Sequence, residues 1–247
     1  MQIIDNTMNK MKINALRPAM MAIAFLMIAS LSFAQSREKI SVSDFHALSV
    51  SNAFVVEISV GNEESLEVEI EEEFREYLVT EVRNGTLIIK LDNGNWSRRQ
   101  RRMKSSAKAF ITVKTLDKIN VSGAASIRTL DIIKSDRLQV ELSGASVAKL
   151  EIETNDLNLE ASGACVVNME GTARDQNVRM SGSSIYRAFD LKSETAVLRV
   201  NGASNASLSV SDNLDVRASG ASSIYYKGDP TLKMDTSGAS SVKRRSR

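Results

Sequence analysis

The chain has 247 residues, of which 43% are hydrophobic and 25% are charged, and its formal net charge is +2. Residues 1–34 hold three of the 32 basic and one of the 30 acidic residues, so the remainder is neutral with 29 of each. A neutral chain with this apolar content can form a core, and it gives no electrostatic reason to expect nucleic acid as a partner.

The N-terminus has the pattern of a secretory signal peptide. Basic residues come before an apolar run over 19–31, and Ser32-Phe33-Ala34 follows it. A membrane anchor is the weaker interpretation, because the run is shorter than the roughly 20 residues that span a bilayer. We expect residues 1–34 to be cleaved, with Met8 and Met11 as alternative starts. The mature protein would then reach the periplasm, the outer cell surface or the exterior without spanning the membrane.

Residues 35–115 are predicted to contain short strands that begin the β structure and cap its first turn. Asn84-Gly85 lies between two alternating segments and is typical of a tight hairpin turn. The predicted strands are 40–42, 45–50, 54–60, 66–70, 78–82, 87–91 and 110–113, with one helical turn over 72–77.

Residues 93–107 lack alternation and are predicted to form an exposed loop. An aromatic side chain beside clustered cations is typical of a surface that holds an anionic ligand. The alternative is a solvated insertion without a ligand. The residues of this predicted site are Trp96, Arg98, Arg99, Arg101 and Arg102.

From residue 116 onward, a tetrapeptide similar to Ser-Gly-Ala-Ser occurs seven times. Its glycines are 18 to 21 residues apart, a period typical of stacked repeats. In most repeats the positions two and four before the glycine are apolar and the position between them is polar, which indicates a strand with one buried face. The glycines are Gly123, Gly144, Gly163, Gly182, Gly202, Gly220 and Gly238.

Each repeat is predicted to contain a strand, a tight corner, a second strand and a polar connection. The predicted fold is all-β, a single-stranded parallel β-helix (β-solenoid) with about 19-residue repeats, of which seven occupy 116–242. Glycine permits a positive φ in each corner, so we expect the seven glycines to be structural. The basic tail 243–247 would protect the open sheet edge by charge or, alternatively, contact an anionic surface.

The chain resembles a known family in three places. These are the FxxLxV motif at 45–50, the LxI strand at 87–89 after the Asn84-Gly85 turn, and the serial Ser-Gly-Ala-Ser corners. They resemble the putative auto-transporter adhesin, head GIN domain family, whose members are secreted or surface-associated and common in Bacteroidota. The resemblance extends from about residue 45 to 242. It implies a β-solenoid with an adhesin-like role and brings no catalytic or binding residues with it.

The sequence shows no pattern that predicts catalysis or metal binding. His46 is the one histidine, and Cys165 is the one cysteine, in a place where sister repeats have Ser or Ala. A lone histidine and a distant lone cysteine form no ligand cluster. The acidic residues of the repeats alternate with buried positions, so we expect a solvated face in which they do not align in one column. They are Asp131, Glu151, Glu153, Asp156, Glu170 and Asp190.

These patterns predict a non-enzymatic secreted or envelope-associated module with an adhesin-like binding or structural role. We expect no cofactor, and a glycan or another envelope surface is the expected partner. The alternative is a β-helix enzyme that acts on polysaccharide, which needs at least two converging acids. Association into a homo-oligomer and an accessory role in envelope stress or signalling are left open.

Overall fold

The structure, a computed structural model, describes residues 37–91 and 106–245. The predicted signal peptide, the predicted site around Trp96 and the last two residues of the basic tail lie outside these ranges. The described residues contain 17 strands and a 3₁₀ helix over Glu72–Tyr77. The strands are β1 (Glu38–Ile40), β2 (Ala47–Val50), β3 (Phe54–Val60), β4 (Ser65–Glu69), β5 (Leu78–Arg83), β6 (Thr86–Leu91), β7 (Ala107–Val113), β8 (Lys118–Val121), β9 (Ser126–Thr129), β10 (Ile133–Gly144), β11 (Val147–Gly163), β12 (Val166–Gly182), β13 (Ile185–Val200), β14 (Asn205–Ala218), β15 (Ser223–Lys227), β16 (Thr231–Thr236) and β17 (Ser241–Arg244).

The long strands β10 to β14 stack in parallel, each paired with the next along the chain. Strands β11 to β14 each cover the run after one corner and, beyond a bend, the run before the next, whereas β9 and β10 divide these two runs between them. We call these the post-glycine run and the pre-glycine run. The strands pair at an offset of about 19 residues, and the sheet makes about 7 turns. The predicted β-solenoid and its repeat length are confirmed.

The corner glycines lie in one column. Their φ angles range from 69° to 102°, a region that side-chain-bearing residues seldom adopt. A Cβ atom on Gly144 or any later corner glycine would lie 2.5–2.6 Å from the carbonyl oxygen of the preceding one. The stacking distance therefore leaves no room for a side chain at these positions.

Asn52 forms a corner above this column that the sequence pattern did not reveal. Its φ is 71°, and its carbonyl oxygen accepts a hydrogen bond of 2.9 Å from the amide of Ala124. Ser51-Asn52-Ala53 thus replaces Ser-Gly-Ala, with asparagine in the left-handed conformation that it tolerates better than most residues. The Asn52 side chain also accepts a 3.0 Å hydrogen bond from the amide of Leu91.

The order of the first coils in space differs from their order in the chain. Strands β2 and β3 lie between β6 and β7 on one side and β8 and β9 on the other, all in parallel. Beyond them, β5 pairs with β6 and β4 pairs with β7, both antiparallel, and β1 pairs with β4. The hairpin prediction is confirmed, because Asn84 and Gly85 join β5 to β6 with φ of 50° and 71°. Ala107, which we expected to end the exposed loop, is instead the buried first residue of β7.

The interior of the coils is one continuous apolar cluster. A column of small polar side chains runs down it, two residues after the corner glycines. Ser184 is fully buried, and its hydroxyl donates to the carbonyl oxygens of Ser181 at 3.1 Å and Gly163 at 3.3 Å. Cys165 occupies the same place one coil earlier, with its Sγ 3.3 Å from the oxygen of Ser162. Its role as a small corner residue agrees with the sequence interpretation. The buried serines of this column are Ser146, Ser184, Ser204 and Ser222.

Candidate ligand-binding face

The outward-facing residues of the pre-glycine runs form columns that run from coil to coil. The most distinctive one lies three residues before each corner glycine, where the alternation makes the side chain point outward. We call Arg179, Arg199 and Arg217 the arginine column, because they occupy this position on three successive coils. The full order is Asn120, Glu141, Glu160, Arg179, Arg199, Arg217 and Asp235.

Strand irregularities keep the arginines in register. The coil between Arg179 and Arg199 has 20 residues and the next has 18, so a rigid repeat would lose alignment. The pairing of β13 with β14 contains two register shifts, one between Ala188 and Lys192 and one between Ser193 and Thr195. They absorb the difference in coil length before the next pre-glycine run begins. Bulges of this kind absorb extra residues without ending the ladder.

The arginine column concentrates positive charge that lacks a partner within the described residues. Neighbouring strands are about 4.8 Å apart, and like charges placed directly opposite each other destabilise a sheet. Among residues 37–91 and 106–245, no ion pair or hydrogen bond engages the three guanidinium groups. Arg199 is the extreme case, because it has an arginine on both sides.

Shallow depressions and hydrogen-bonding side chains surround the arginine column. Two depressions of about 430 and 420 Å³ both border on Arg179, and Arg199 lines the second of them. One flank carries Asn158 and Asn177, whose side-chain amides are joined by a 3.2 Å hydrogen bond. Such a surface offers charge at its centre and amide groups beside it.

Asp175 lies on the same face and is held in its ionised form. The hydroxyl of Thr195, on the next coil, donates a hydrogen bond to its carboxylate, and Arg174 Nε lies 2.9 Å away. Both contacts lower the pKa of Asp175 below its ordinary value, and the hydrogen bond from Thr195 has the larger effect. A general acid in glycoside cleavage requires the opposite shift.

A larger groove of about 1100 Å³ follows the bend between the post-glycine and pre-glycine runs. It is lined mainly by polar side chains, and two of its carboxylates are already engaged. Lys134 Nζ lies 2.7 Å from Glu153, and the amide of Asn155 donates to Asp136 at 2.6 Å. In this polar groove one carboxylate is therefore neutralised by a lysine, and another is held by a neutral amide.

The prediction that the acidic residues do not align is wrong for three of them. Glu151, Glu170 and Asp190 lie opposite one another on successive post-glycine runs. The register shift between Asn168 and Glu170 realigns Asp190, which has one more residue between it and its glycine than the other two. Unlike the arginine column, this acidic column has a local cation, because Lys149 Nζ lies 3.5 Å from Glu170.

His46 and Cys165 lie in separate parts of the fold. His46 is largely exposed beside the first coils, where its Nδ1 lies 3.0 Å from a carboxylate oxygen of Asp117. In the described part of the chain, no group of three His, Cys, Asp or Glu side chains is arranged to hold a metal ion. Within those same ranges, no helix is long and apolar enough to cross a membrane.

Comparison with known proteins identifies the family. The family described as "putative auto-transporter adhesin, head GIN domain" matches residues 44–230. The chain belongs to this GIN domain family. No functionally curated protein matches the chain.

Solved structures share the fold of this GIN domain protein at low sequence identity. A putative adhesin from Bacteroides fragilis has a TM-score of 0.79 at 20% identity. A putative lipid binding protein from Parabacteroides distasonis has a TM-score of 0.67 at 20% identity. A putative adhesin from Parabacteroides merdae has a TM-score of 0.67 at 18% identity. In each case the match covers 85% of this chain and 96% of the other.

The sequence interpretation of this GIN domain protein placed its ligand site elsewhere. Trp96 and its neighbouring arginines, the predicted anionic-ligand loop, lie outside the described residues. The arginine column was missed, although its signal is present in the sequence. When the repeats are aligned on their glycines, the position three before the glycine is arginine in three consecutive repeats.

Proposed function

We propose that the protein is a non-enzymatic, adhesin-like binding module that is exported to the cell envelope and binds a repetitive surface ligand such as a glycan. The observation that carries this proposal is the in-register stacking of Arg179, Arg199 and Arg217 on successive coils. A column of equal groups at a fixed spacing suits a ligand whose own groups repeat, because each added contact is then intramolecular.

Family membership supports the same conclusion. Two of the structural relatives are named as adhesins and one as a lipid binding protein, so binding is the common element of the three names. A shared fold does not by itself establish function. The proposal therefore depends on the exposed columns, and the family adds support to it.

The non-enzymatic part of the proposal is supported by the state of the carboxylates on the candidate surfaces. Asp175 has a lowered pKa, whereas cleavage of a glycosidic bond needs a carboxylic acid that keeps its proton. Glu153 is paired with Lys134, and Asp136 accepts from Asn155. These contacts favour a binding surface over a hydrolytic centre.

Export is the part of the proposal that rests on residues 1–34. Its test is N-terminal sequencing of the protein recovered from the envelope fraction of an expressing bacterium. We expect the first residue to be Gln35. Recovery of the chain with residues 1–34 still attached, in the cytoplasmic fraction, would contradict export.

A carbohydrate panel tests binding and catalysis together. The purified protein is incubated with neutral and acidic polysaccharides, and each sample is scored for retention of the protein and for release of shortened products. We expect retention on some members of the panel and no product. Product release from any member would favour the polysaccharide-cleaving alternative, and retention on none would overturn the binding role.

A further inference from the structure

The fold itself gives no reason for three adjacent arginines in the middle of one column. Glu160 and Asp235 lie at the two ends of the arginine column, where they offset part of the charge of Arg179 and Arg217. Arg199 has no such neighbour in its column. Because stacked like charges oppose folding, the column is best explained by an anion from outside the chain.

We propose that the arginine column binds a linear acidic polysaccharide that lies along the stacking direction and presents one carboxylate or sulfate group to each coil. This inference rests on the proposed binding function and names the class of ligand. Guanidinium groups form paired, charge-assisted hydrogen bonds with carboxylate and sulfate oxygens, which lysine cannot match in geometry. The first and last arginines are two strand spacings apart, or about 10 Å.

The side chains beside the arginine column suit a sugar polymer. On one flank, Asn177 lies beside Arg179 and is joined to Asn158 of the preceding coil, and Val197 and Asp215 follow it along the stack. The residues that directly precede the corner glycines lie on the other flank. On that second flank, Ser219 donates a 2.7 Å hydrogen bond to the side chain of Asn201. Amides and hydroxyls both donate and accept, so they match the hydroxyl groups of a carbohydrate. The arginines would select for acidic members of this class.

A bilayer of anionic lipid fits this face less well. The positive charge is one side chain wide, and Asp175 and Asp215 project from neighbouring positions of the same runs. Both carboxylates are paired with a cation, Asp175 with Arg174 at 2.9 Å and Asp215 with Lys233 at 3.9 Å, so a flat anionic surface would meet uncompensated positive charge only along the arginine column. A polymer chain that follows the arginine column meets that charge along its whole length.

A second copy of the chain is also a weaker occupant. The complementary surface would be the acidic column of Glu151, Glu170 and Asp190, which has the same spacing. Glu170 is already paired with Lys149, so that surface is partly neutralised within its own chain. The arginine column has no equivalent compensation at Arg199.

The first experiment measures binding of the full-length protein to oligogalacturonates, from dimer to hexamer, by calorimetry. Maltohexaose serves as the uncharged control, and vesicles of phosphatidylglycerol and phosphatidylcholine serve as the lipid control. We expect affinity to increase with length until three uronates are engaged, and to decrease as salt is added. Maltohexaose and the vesicles should bind much more weakly.

The second experiment removes the arginine column with the triple variant R179Q/R199Q/R217Q. Each exposed ion pair contributes up to about fivefold in affinity, so we expect a loss of roughly 10- to 100-fold for hexagalacturonate. The matched control, K114Q/R187Q/K192Q, makes the same change in net charge with exposed cations that do not share one column. It should bind almost as well as the wild type.

The single variant R199Q separates binding from structure. Because Arg199 lies between two arginines, its removal should leave the melting temperature unchanged or raise it, while affinity for hexagalacturonate decreases. A purely structural arginine would lower the melting temperature and leave affinity unchanged.

The outcomes that overturn this inference differ from those that overturn the proposed function. Equal loss of affinity in both triple variants would mean that net charge, and not the arginine column, is responsible. If the protein bound vesicles through the arginine column but did not bind oligogalacturonate, the ligand of the column would be anionic lipid and not polysaccharide. If the variant R179Q/R199Q/R217Q were still retained on neutral glycans, the proposed binding function would stand, but the arginine column would be rejected as its site.

Discussion

The backbone amide of Ala203 donates a hydrogen bond to the carbonyl oxygen of Gly182, with 2.8 Å between nitrogen and oxygen. The same bond recurs at each stacked corner, from Ala124 and Asn52 to Ala239 and Gly220, at 2.7–2.9 Å. The acceptor oxygen occupies the space that a side chain on the next glycine would need, since a Cβ on Gly202 would lie 2.5 Å from it. The bond that joins the coils therefore also excludes every residue except glycine below Asn52.

Gly202→Val and Gly182→Val should each destabilise the protein severely. Each variant forces a branched side chain into a corner with φ near 80°, against a backbone oxygen that cannot move without breaking the ladder. We expect a loss of roughly 3 kcal/mol or more in the free energy of unfolding, measured by urea denaturation. Asn201→Ser is the control, because it introduces the residue that most sister corners have. Melting like that of the wild type in both valine variants would contradict the tight-corner interpretation.

Cys165→Ser should leave the stability within about 1 kcal/mol of the wild type, because serine fills the same buried place in neighbouring coils. Its hydroxyl can donate to the oxygen of Ser162 as the thiol does now. Cys165→Leu should be strongly destabilising, since the corner has no space for a larger side chain. Thermal melting of both variants gives the measurement. Equal stability of the serine and leucine variants would show that the corner is loosely packed.

Tyr186 and Gln176 form a polar pair inside the apolar core. The Tyr186 hydroxyl donates to Gln176 at 2.7 Å, and the Gln176 amide nitrogen has no hydrogen-bond partner among the described residues. Gln176 lies opposite Leu157 in its column. Tyr186→Phe should cost about 1–3 kcal/mol by leaving the amide wholly unpaired.

Adding Gln176→Leu to Tyr186→Phe should recover most of that loss, because both polar groups are then removed and the leucine matches its neighbour. The double-mutant cycle, measured by chemical denaturation, gives the coupling between the two side chains. Additive effects of the two substitutions would mean that the hydrogen bond contributes nothing to stability.

Thr195→Ala should raise the pKa of Asp175 toward its ordinary value. The Thr195 hydroxyl is the main cause of the lowered pKa, and Arg174 is the next. A carboxyl group whose pKa is lower in the folded than in the unfolded protein stabilises the fold at pH values above the unfolded-state pKa, which is about 3.9. This contribution is lost as the pH falls through the folded-state pKa. The Asp175 side chain is 39% exposed, so solvent screens its contacts. We therefore expect Thr195→Ala to change the free energy of unfolding by well under 1 kcal/mol, as is usual for a surface ion pair.

The measurement is an NMR titration of the Asp175 carboxyl carbon between neutral and acid pH. Thr231→Ala is the control, since Thr231 occupies the same stacked position three coils beyond Asp175. An unchanged titration of Asp175 in Thr195→Ala would show that Arg174 alone holds the carboxylate.

Local patterns were sufficient for much of the fold. The Asn84-Gly85 hairpin, the strand over 54–60 and the helical turn over 72–77 all follow from short-range steric and turn preferences, and the structure contains each of them. Strand pairing was harder. Alternation identifies a strand but not its partner, so the antiparallel pairing of β4 with β7 and the placement of β2 and β3 between later strands could not be foreseen.

The exposed columns show the same limit more sharply. The arginines could have been aligned by counting back three residues from each glycine, because no bulge separates them from the corner that follows. Asp190 could not have been aligned by counting, since it lies eight residues after the preceding corner glycine, whereas Glu151 and Glu170 each lie seven residues after theirs. A register shift beside β12 brings it into line, and the position of such a shift depends on how neighbouring coils pack.

By itself, the sequence determined the seven glycine corners, the repeat and the alternation of buried and exposed positions, because a positive φ, a small side chain and a two-residue period are properties of a few adjacent residues. Only the tertiary structure decided which exposed side chains become neighbours. That outcome depends on hydrogen-bond register between coils about 19 residues apart and on bulges that reset it, so Asp190 lies opposite Glu170 only because the register shifts between their strands.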